Sequence, residues 1–165
     1  MTQTCFDSEL VVQAVVPDPI GEAQWSLWFG QWLIQMECQE RFEVVLRLTD
    51  DNELCTLNTQ FRGIAAATDV LAFPAEPMGL SPEDEDLTYL GDIAISVPWA
   101  TRRSEEFGHS LYSELAWLGA HGLLHLLGWD HPDEVSWQQM VSKQCQLLEG
   151  VNLTYDWSRV YSNVL

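Results

Sequence analysis

A chain of 165 residues, 47% of them hydrophobic, is long enough for one core of ordinary size and too apolar for wholesale disorder. Its 25 acidic and 7 basic side chains give a formal net charge of −18, which argues against a general nucleic-acid coat, because such binding needs many basic contacts to phosphate. No run of about 18 apolar residues occurs, so no membrane-spanning helix is expected. The start, MTQTCFDSEL, has neither the basic segment nor the apolar stretch of a secretory signal. Cys5, Cys38, Cys55 and Cys145 are scattered without a CxxC pair, the pattern of reduced, mostly buried thiols in a cytosolic protein.

Valine-rich ELVVQAVV (9–16) reads as a first strand, stopped by Pro17 and Pro19. Within 20–37, residues Trp25, Trp28, Phe29, Trp32, Leu33 and Met36 recur at helical spacing, so this aromatic stripe is read as core packing on an amphipathic helix. FEVVLRL (42–48) alternates, with Phe42, Val44, Leu46 and Leu48 on one face, the pattern of a half-buried strand. DDNELCTLNTQF (50–61) has the acidic start of a helix, which Arg62 and Gly63 close. TDVLAFP (68–74) reads as a short buried strand. AEPMGLSPEDEDLT (75–88), with two prolines, a glycine and four consecutive acids, reads as a solvent loop. YLGDIAISV (89–97) is a further strand. Helical sequence runs from Pro98 through Leu127 with a break at Gly108. A last helix extends from about Pro132 to Leu148, and the end of the chain, 152–165, follows no recognisable pattern.

The stretch HGLLHLLGWDH (121–131) concentrates the chemistry. It holds three of the chain's four histidines. His121 and His125 leave one helical face about 40° and about 6 Å apart. Gly128 can end the helix in the left-handed conformation, and Pro132 biases His131 to an extended one. His131 can thus return to the same point and complete a tripod for one metal ion. Three neutral imidazoles leave one coordination position open, as in catalytic rather than structural zinc sites. Such an ion lowers the pKa of bound water towards about 7 and polarises a carbonyl or phosphoryl oxygen.

On a helical wheel the helix that carries this pair is apolar nearly all round and is expected to be central and buried. Gly119 and Gly122 form a smooth strip open to close approach by another backbone. Glu114 lies on the histidine face about 10 Å below His121, too far to share its ion; it can hold a neighbouring group in place or supply charge to the cleft, and a cap or salt bridge is an equal reading. The spacing also fits H-E-x-x-H-x-x-G-x-x-H of the metzincin peptidases, whose second residue is the general base. Here that residue is Gly122, so peptide hydrolysis by that route lacks its base. Asp130, beside His131, is read as a turn residue or a support for the ligands.

Several motifs in order resemble the YbeY family of small metal-dependent endoribonucleases of bacterial ribosomal RNA maturation. HGLLHLLGWDH matches H-G-x-L-H-L-x-G-(Y/W)-D-H at nearly every position. LNTQFRGIAAATDVLAFP (57–74) resembles N-x-x-(Y/F)-R followed by T-D-V-L-S-F-P, and LGDIAIS (90–96) resembles L-G-D-I-x-I-S. The first 50 residues agree only in element order. The resemblance implies that His121, His125 and His131 bind one ion per chain, usually zinc, with another transition metal as the alternative. It also implies that Arg62 lines the cleft, where a planar guanidinium can hold a phosphate beside a metal. Ala72 departs from the family serine, and GIAAA (63–67) lacks the charged residues often found there.

The reading is one α+β domain over 1–165, a four-stranded mixed sheet covered by helices, with the central helix carrying HxxxHxxxxxH. The function implied is a zinc-dependent, single-strand-specific endoribonuclease of 16S ribosomal RNA 3′-end maturation and ribosome quality control, acting in the cytoplasm on precursor RNA together with the ribosome or assembly proteins. Arg62 is the candidate catalytic residue. Arg62, Arg102 and Arg103 are candidates for RNA contact. Glu114, Asp92, Asp130 and Thr68 are candidates to line the cleft or support the ligands, Glu114 and Asp92 also as a base acting through water. The alternatives are a metallohydrolase of another substrate class and a non-catalytic ribosome-assembly factor with a structural metal.

Overall fold

Alternation along the strands sorts the side chains into two layers, one on each face of a sheet. A computed structural model of the protein describes residues 8–76 and 87–161. The order is β1 (Glu9–Ala14), α1 (Glu22–Gln35), β2 (Arg41–Thr49), α2 (Asp51–Arg62), β3 (Val70–Pro74), β4 (Leu87–Ser96), α3 (Val97–Phe107), α4 (Leu111–Leu126), α5 (Glu134–Glu149) and α6 (Trp157–Val160). The four strands lie in the order β1-β2-β4-β3. β1 pairs parallel to β2 and β2 parallel to β4, while β3 runs antiparallel to β4. The sheet is therefore mixed, as the sequence predicts, and the structure is α+β.

Val44, Leu46 and Leu48 of β2, with Ile93 and Ile95 of β4, join the main core. Their neighbours of opposite parity, Ala94 and Leu71, face the other way and pack with Leu54 of α2. So α2 covers one side of the β3–β4 half. On the other side α4 lies against β3 and β4, and α1, α3 and α5 pack around it. This placement leaves α4 with twelve buried residues of sixteen, which explains why its sequence is apolar all round. The α1 stripe is core, with Trp25 and Trp32 fully buried.

Side chains cap the helix starts where the sequence supplies an oxygen. Asp50, Ser96, Ser110 and Asp133 each accept a backbone N–H in the first turn of α2, α3, α4 and α5. Gly63 closes α2 in the left-handed conformation at φ 70°. That fixes where Arg62, the last residue of the helix, stands.

Several placements differ from what the sequence alone suggests. Most of the acidic stretch 75–88 falls at 77–86, outside the described residues, and β4 begins at Leu87, two residues earlier than its alternation suggests. Asp92 sits in mid-strand, paired with Val45 and Phe73. The glycines of α4 admit side chains, not a backbone: a Cβ on Gly119 would meet Trp25, and one on Gly122 would lie 2.7 Å from Ile93 Cγ2. Residues 153–161, for which the sequence gives no pattern, join the core: Tyr155 stacks on Trp117 with ring centroids 4.2 Å apart. Cys38, Cys55 and Cys145 form no disulfide but are half-buried rather than buried. No helix among the described residues is long and apolar enough to cross a membrane.

Candidate metal centre and cleft

His121 and His125 share a face of α4 because they stand one turn apart. Their Nε2 atoms are 3.0 Å from each other. Leu127 ends the helix, Gly128 takes φ 97°, and Trp129 N–H donates to Leu124 O at 2.9 Å, turning the chain back. The Asp130 carboxylate then accepts the His131 N–H at 2.8 Å and fixes the last step of the turn. His131 closes the group, with ring centroids 5.4 Å from His121 and 5.2 Å from His125. One ligand atom from each of the three histidines lies within 4.8 Å of the others. Tetrahedral ligands at zinc–nitrogen distances of about 2.0–2.1 Å stand about 3.3 Å apart, so the spacing suits such an ion.

The donor chemistry suits one too. His121 is pushed down to about 4, chiefly by burial, with the neighbouring His125 and His131 adding to the effect against Gln144 and Asp69. Burial, followed by His131, also lowers His125, and the Arg62 charge adds to this. These two imidazoles therefore stay neutral near pH 7, with a lone pair each for a cation. His121 Nδ1 lies 3.1 Å from Gln144 Oε1, and Gln144 Nε2 donates to Trp117 O at 3.3 Å. A carbonyl can only accept, so the amide nitrogen must face Trp117 and the amide oxygen must face His121. The proton of His121 is thereby held on Nδ1, and Nε2 is left to the site.

The group opens into a cavity of about 860 Å³. The end of α2, the residues just before β3 and β3 itself line it as well, through Phe61, Arg62, Thr68, Asp69 and Phe73. Arg62 is exposed and makes no ion pair among the described residues. Thr68 donates to Asp69 at 3.2 Å, and Asp69 also accepts from Val70 N–H and Arg103. Asp130, Trp137 and Tyr161 complete the histidine side.

The other candidates lie elsewhere. Arg102 pairs with Asp51 at 2.7 Å. Arg103 pairs with Asp69 at 3.1 Å and stands 3.9 Å from Glu114. Neither lines the cavity. Their carboxylate partners are distant in sequence and are not visible from the arginines alone. Glu114 is fully buried and accepts from Tyr155 OH at 3.0 Å, with His109 Nε2 at 2.7 Å. Burial pushes its carboxyl up, against the pull of His109, Arg103 and Tyr155. Asp92 accepts from Tyr89 OH, and burial raises it as well. Neither carboxylate borders the cavity.

Three contributors escape the sequence reading. Gln144 lies within the buried stripe Met140, Val141, Gln144, Leu147 and Leu148 of α5. A fully buried amide in an apolar stripe must find partners, and that is the signal that points to it. Asp69 is visible only as part of TDVLAFP. Tyr161, in the unplaced chain end, accepts from Trp117 Nε1 at 3.1 Å and reaches the cavity. Nothing local announces it.

The chain is similar to known proteins over most of its length. The family model described as Endoribonuclease YbeY matches residues 17–152. A relative from Gloeobacter violaceus named Endoribonuclease YbeY is 56% identical over 154 residues, 93% of this chain and 79% of the relative. One of the same name from Synechococcus sp. is 49% identical, over 88% of this chain and 91% of the relative. The solution structure of TM1509 from Thermotoga maritima shares the fold, with a TM-score of 0.55 at 22% identity over 93% of this chain and 91% of that one.

Proposed function

Because the chain belongs to the YbeY endoribonuclease family, we propose that it is a zinc-dependent endoribonuclease of single-stranded RNA, acting in maturation of the 16S ribosomal RNA 3′ end and in ribosome quality control. The endoribonuclease role, hydrolysis of RNA phosphodiester bonds, follows from that membership. The finer reading is carried by one observation: Arg62, without an ion pair among the described residues, lines the same cavity as a three-histidine cluster. Precursor ribosomal RNA in the cytoplasm, presented by the ribosome or its assembly proteins, fits a chain whose own charge of −18 repels free RNA. The whole chain, 1–165, acts as one domain in this reading.

His121, His125 and His131 would hold the ion, which supplies Lewis acidity at a phosphoryl oxygen and acidifies water. The chain's own contribution is positional. Gln144 holds the His121 proton on Nδ1, and Asp130 fixes the turn that delivers His131. Arg62 offers a planar fork to the non-bridging oxygens of the scissile phosphate, where negative charge accumulates in the transition state. A cavity lined by residues of α2, β3 and α4 suits a single strand whose bases are splayed and free to be read.

A peptidase reading fails on packing. The metzincin base position is Gly122, and its Cβ direction points into Ile93 of the sheet. The position faces the core, so no carboxylate can be accommodated there without moving β4.

The test is cleavage of a single-stranded RNA and its duplex by zinc-loaded, metal-free and His121→Ala protein, with Arg62→Ala alongside. Zinc-loaded wild type alone should be fully active. Arg62→Ala should retain the ion and the fold and lose about 10²- to 10³-fold in rate, the scale of one transition-state charge donor. Wild-type rates from Arg62→Ala, or activity surviving in His121→Ala, would overturn the assignment.

A further inference from the structure

Of the chain's seven Lys and Arg residues, Arg47, Arg102 and Arg103 are held by carboxylates, and Arg41 and Arg159 have partners of their own. Among the cavity-lining residues Arg62 is the one cation, and it shares the space with Asp69, Glu76 and Asp130. Phosphate contacts therefore supply little of the affinity that an RNA-cleaving site needs, and something other than charge must hold the strand.

The wall that carries Arg62 offers it. Phe61 immediately precedes Arg62, lines the same cavity, and is 63% exposed. It stands three residues beyond Asn58 and four beyond Leu57, on the inward face of α2 whose buried members are Leu54 and Asn58. Its ring rests against Phe73 of β3, centroids 5.1 Å apart at 59°, and Phe73 lines the cavity too. Tyr112, another exposed aromatic, packs on Trp28 and does not border the cavity. A large apolar ring steadied on one side, open on the other, and adjacent in sequence to the guanidinium is built like a stacking platform for a planar group beside a phosphate.

We propose that Phe61 is a nucleobase-stacking residue, holding an unpaired base of the RNA next to the phosphate that Arg62 grips. The inference rests on the endoribonuclease reading above. It also supplies a reason for single-strand selectivity, since a base within a duplex has both faces covered by its neighbours. Because stacking involves no counterion release, binding should weaken only gently with salt, with a logarithmic slope of about −0.7 for each phosphate contacted.

The experiment uses zinc-loaded protein and a set of short single-stranded RNAs, each with one nucleotide made abasic in turn. Wild type should show one abasic position at which KM rises about 5- to 150-fold, the effect of losing one stacked base. Phe61→Ala should raise KM on intact RNA by a similar factor, change kcat little, and become insensitive to that abasic position. Phe61→Leu, apolar without a π face, should behave like Ala, and Phe61→Trp should restore wild-type KM. The preference for single strand over duplex should fall in Phe61→Ala by the same factor. If Phe61→Ala cleaves with wild-type KM, or stays as sensitive to the abasic position as wild type, the stacking role is wrong while the nuclease reading stands. If wild type cleaves no single-stranded RNA, both fall together.

Discussion

Replacing Gln144 by Leu preserves most of the side-chain volume and deletes both of its hydrogen bonds. His121 Nδ1–H then loses its acceptor in a place where water has little access, and a buried donor left unpaired costs about 1–3 kcal/mol. Trp117 O loses one donor but belongs to the middle of α4 and keeps its helical bond, so it adds little. The proton on His121 is no longer tied to Nδ1, and the ring is free to turn or to place its proton on Nε2, the atom needed for a metal. Loss of such a supporting bond lowers metal affinity about 10- to 100-fold, equivalent to about 1.4–2.7 kcal/mol. The assay is zinc competition against a chromophoric chelator near pH 7.5, with thermal unfolding of the metal-free protein in parallel. Gln144→Glu separates the two effects. It keeps an acceptor for His121 and should retain most of the affinity, yet it sets a carboxylate against Trp117 O in a buried site and should lower stability. Zinc held by Gln144→Leu as tightly as by wild type would refute the positioning role.

Further outcomes follow from the same contacts. Gly122→Ala forces a methyl to 2.7 Å from Ile93 Cγ2; overpacking of about 1–3 kcal/mol outweighs a helix-propensity gain of about 1 kcal/mol. Urea unfolding should show a net loss, and a more stable variant would show that β4 yields easily. Tyr155→Phe removes a bond to the buried Glu114 carboxylate and should destabilise by about 1.5–3 kcal/mol without altering zinc affinity, since Glu114 does not border the cavity. A loss of zinc affinity there would tie the chain end to the metal site. The metal-free protein should also lose stability as the pH falls. His121 binds its proton near pH 4 when folded and near 6.5 when unfolded, so between these values the unfolded chain carries a proton that the native one refuses. Stability due to this group is complete above about 6.5 and declines towards pH 4, whereas Glu114, whose folded pKa is raised, contributes in the opposite sense. His121→Asn should flatten the decline measured by thermal unfolding, and an unchanged slope would assign it to other groups.

Local spacing determined the helices, the strands and the tripod, because each depends on neighbours a few residues away. His121 and His125 meet because one helical turn separates them, and His131 joins them because Gly128 can take a positive φ that turns the chain. The sheet's mixed character was also legible, since the sequence shows helical patterns between the first and second and between the second and third strand segments but none, only prolines, a glycine and acids, between the third and the fourth. What the tertiary structure alone decided is which polar groups find each other across long stretches of chain. Arg102 and Arg103 look like free cations until Asp51 and Asp69 are brought beside them. Glu114 reads equally as a cleft residue or a buried partner until Tyr155 and His109 close over it. Gln144 is silent until α5 docks on α4 and sets its amide against His121. Periodicity records which face of an element is buried, but a hydrogen bond or ion pair depends on the one partner that packing delivers, and no local pattern names that partner.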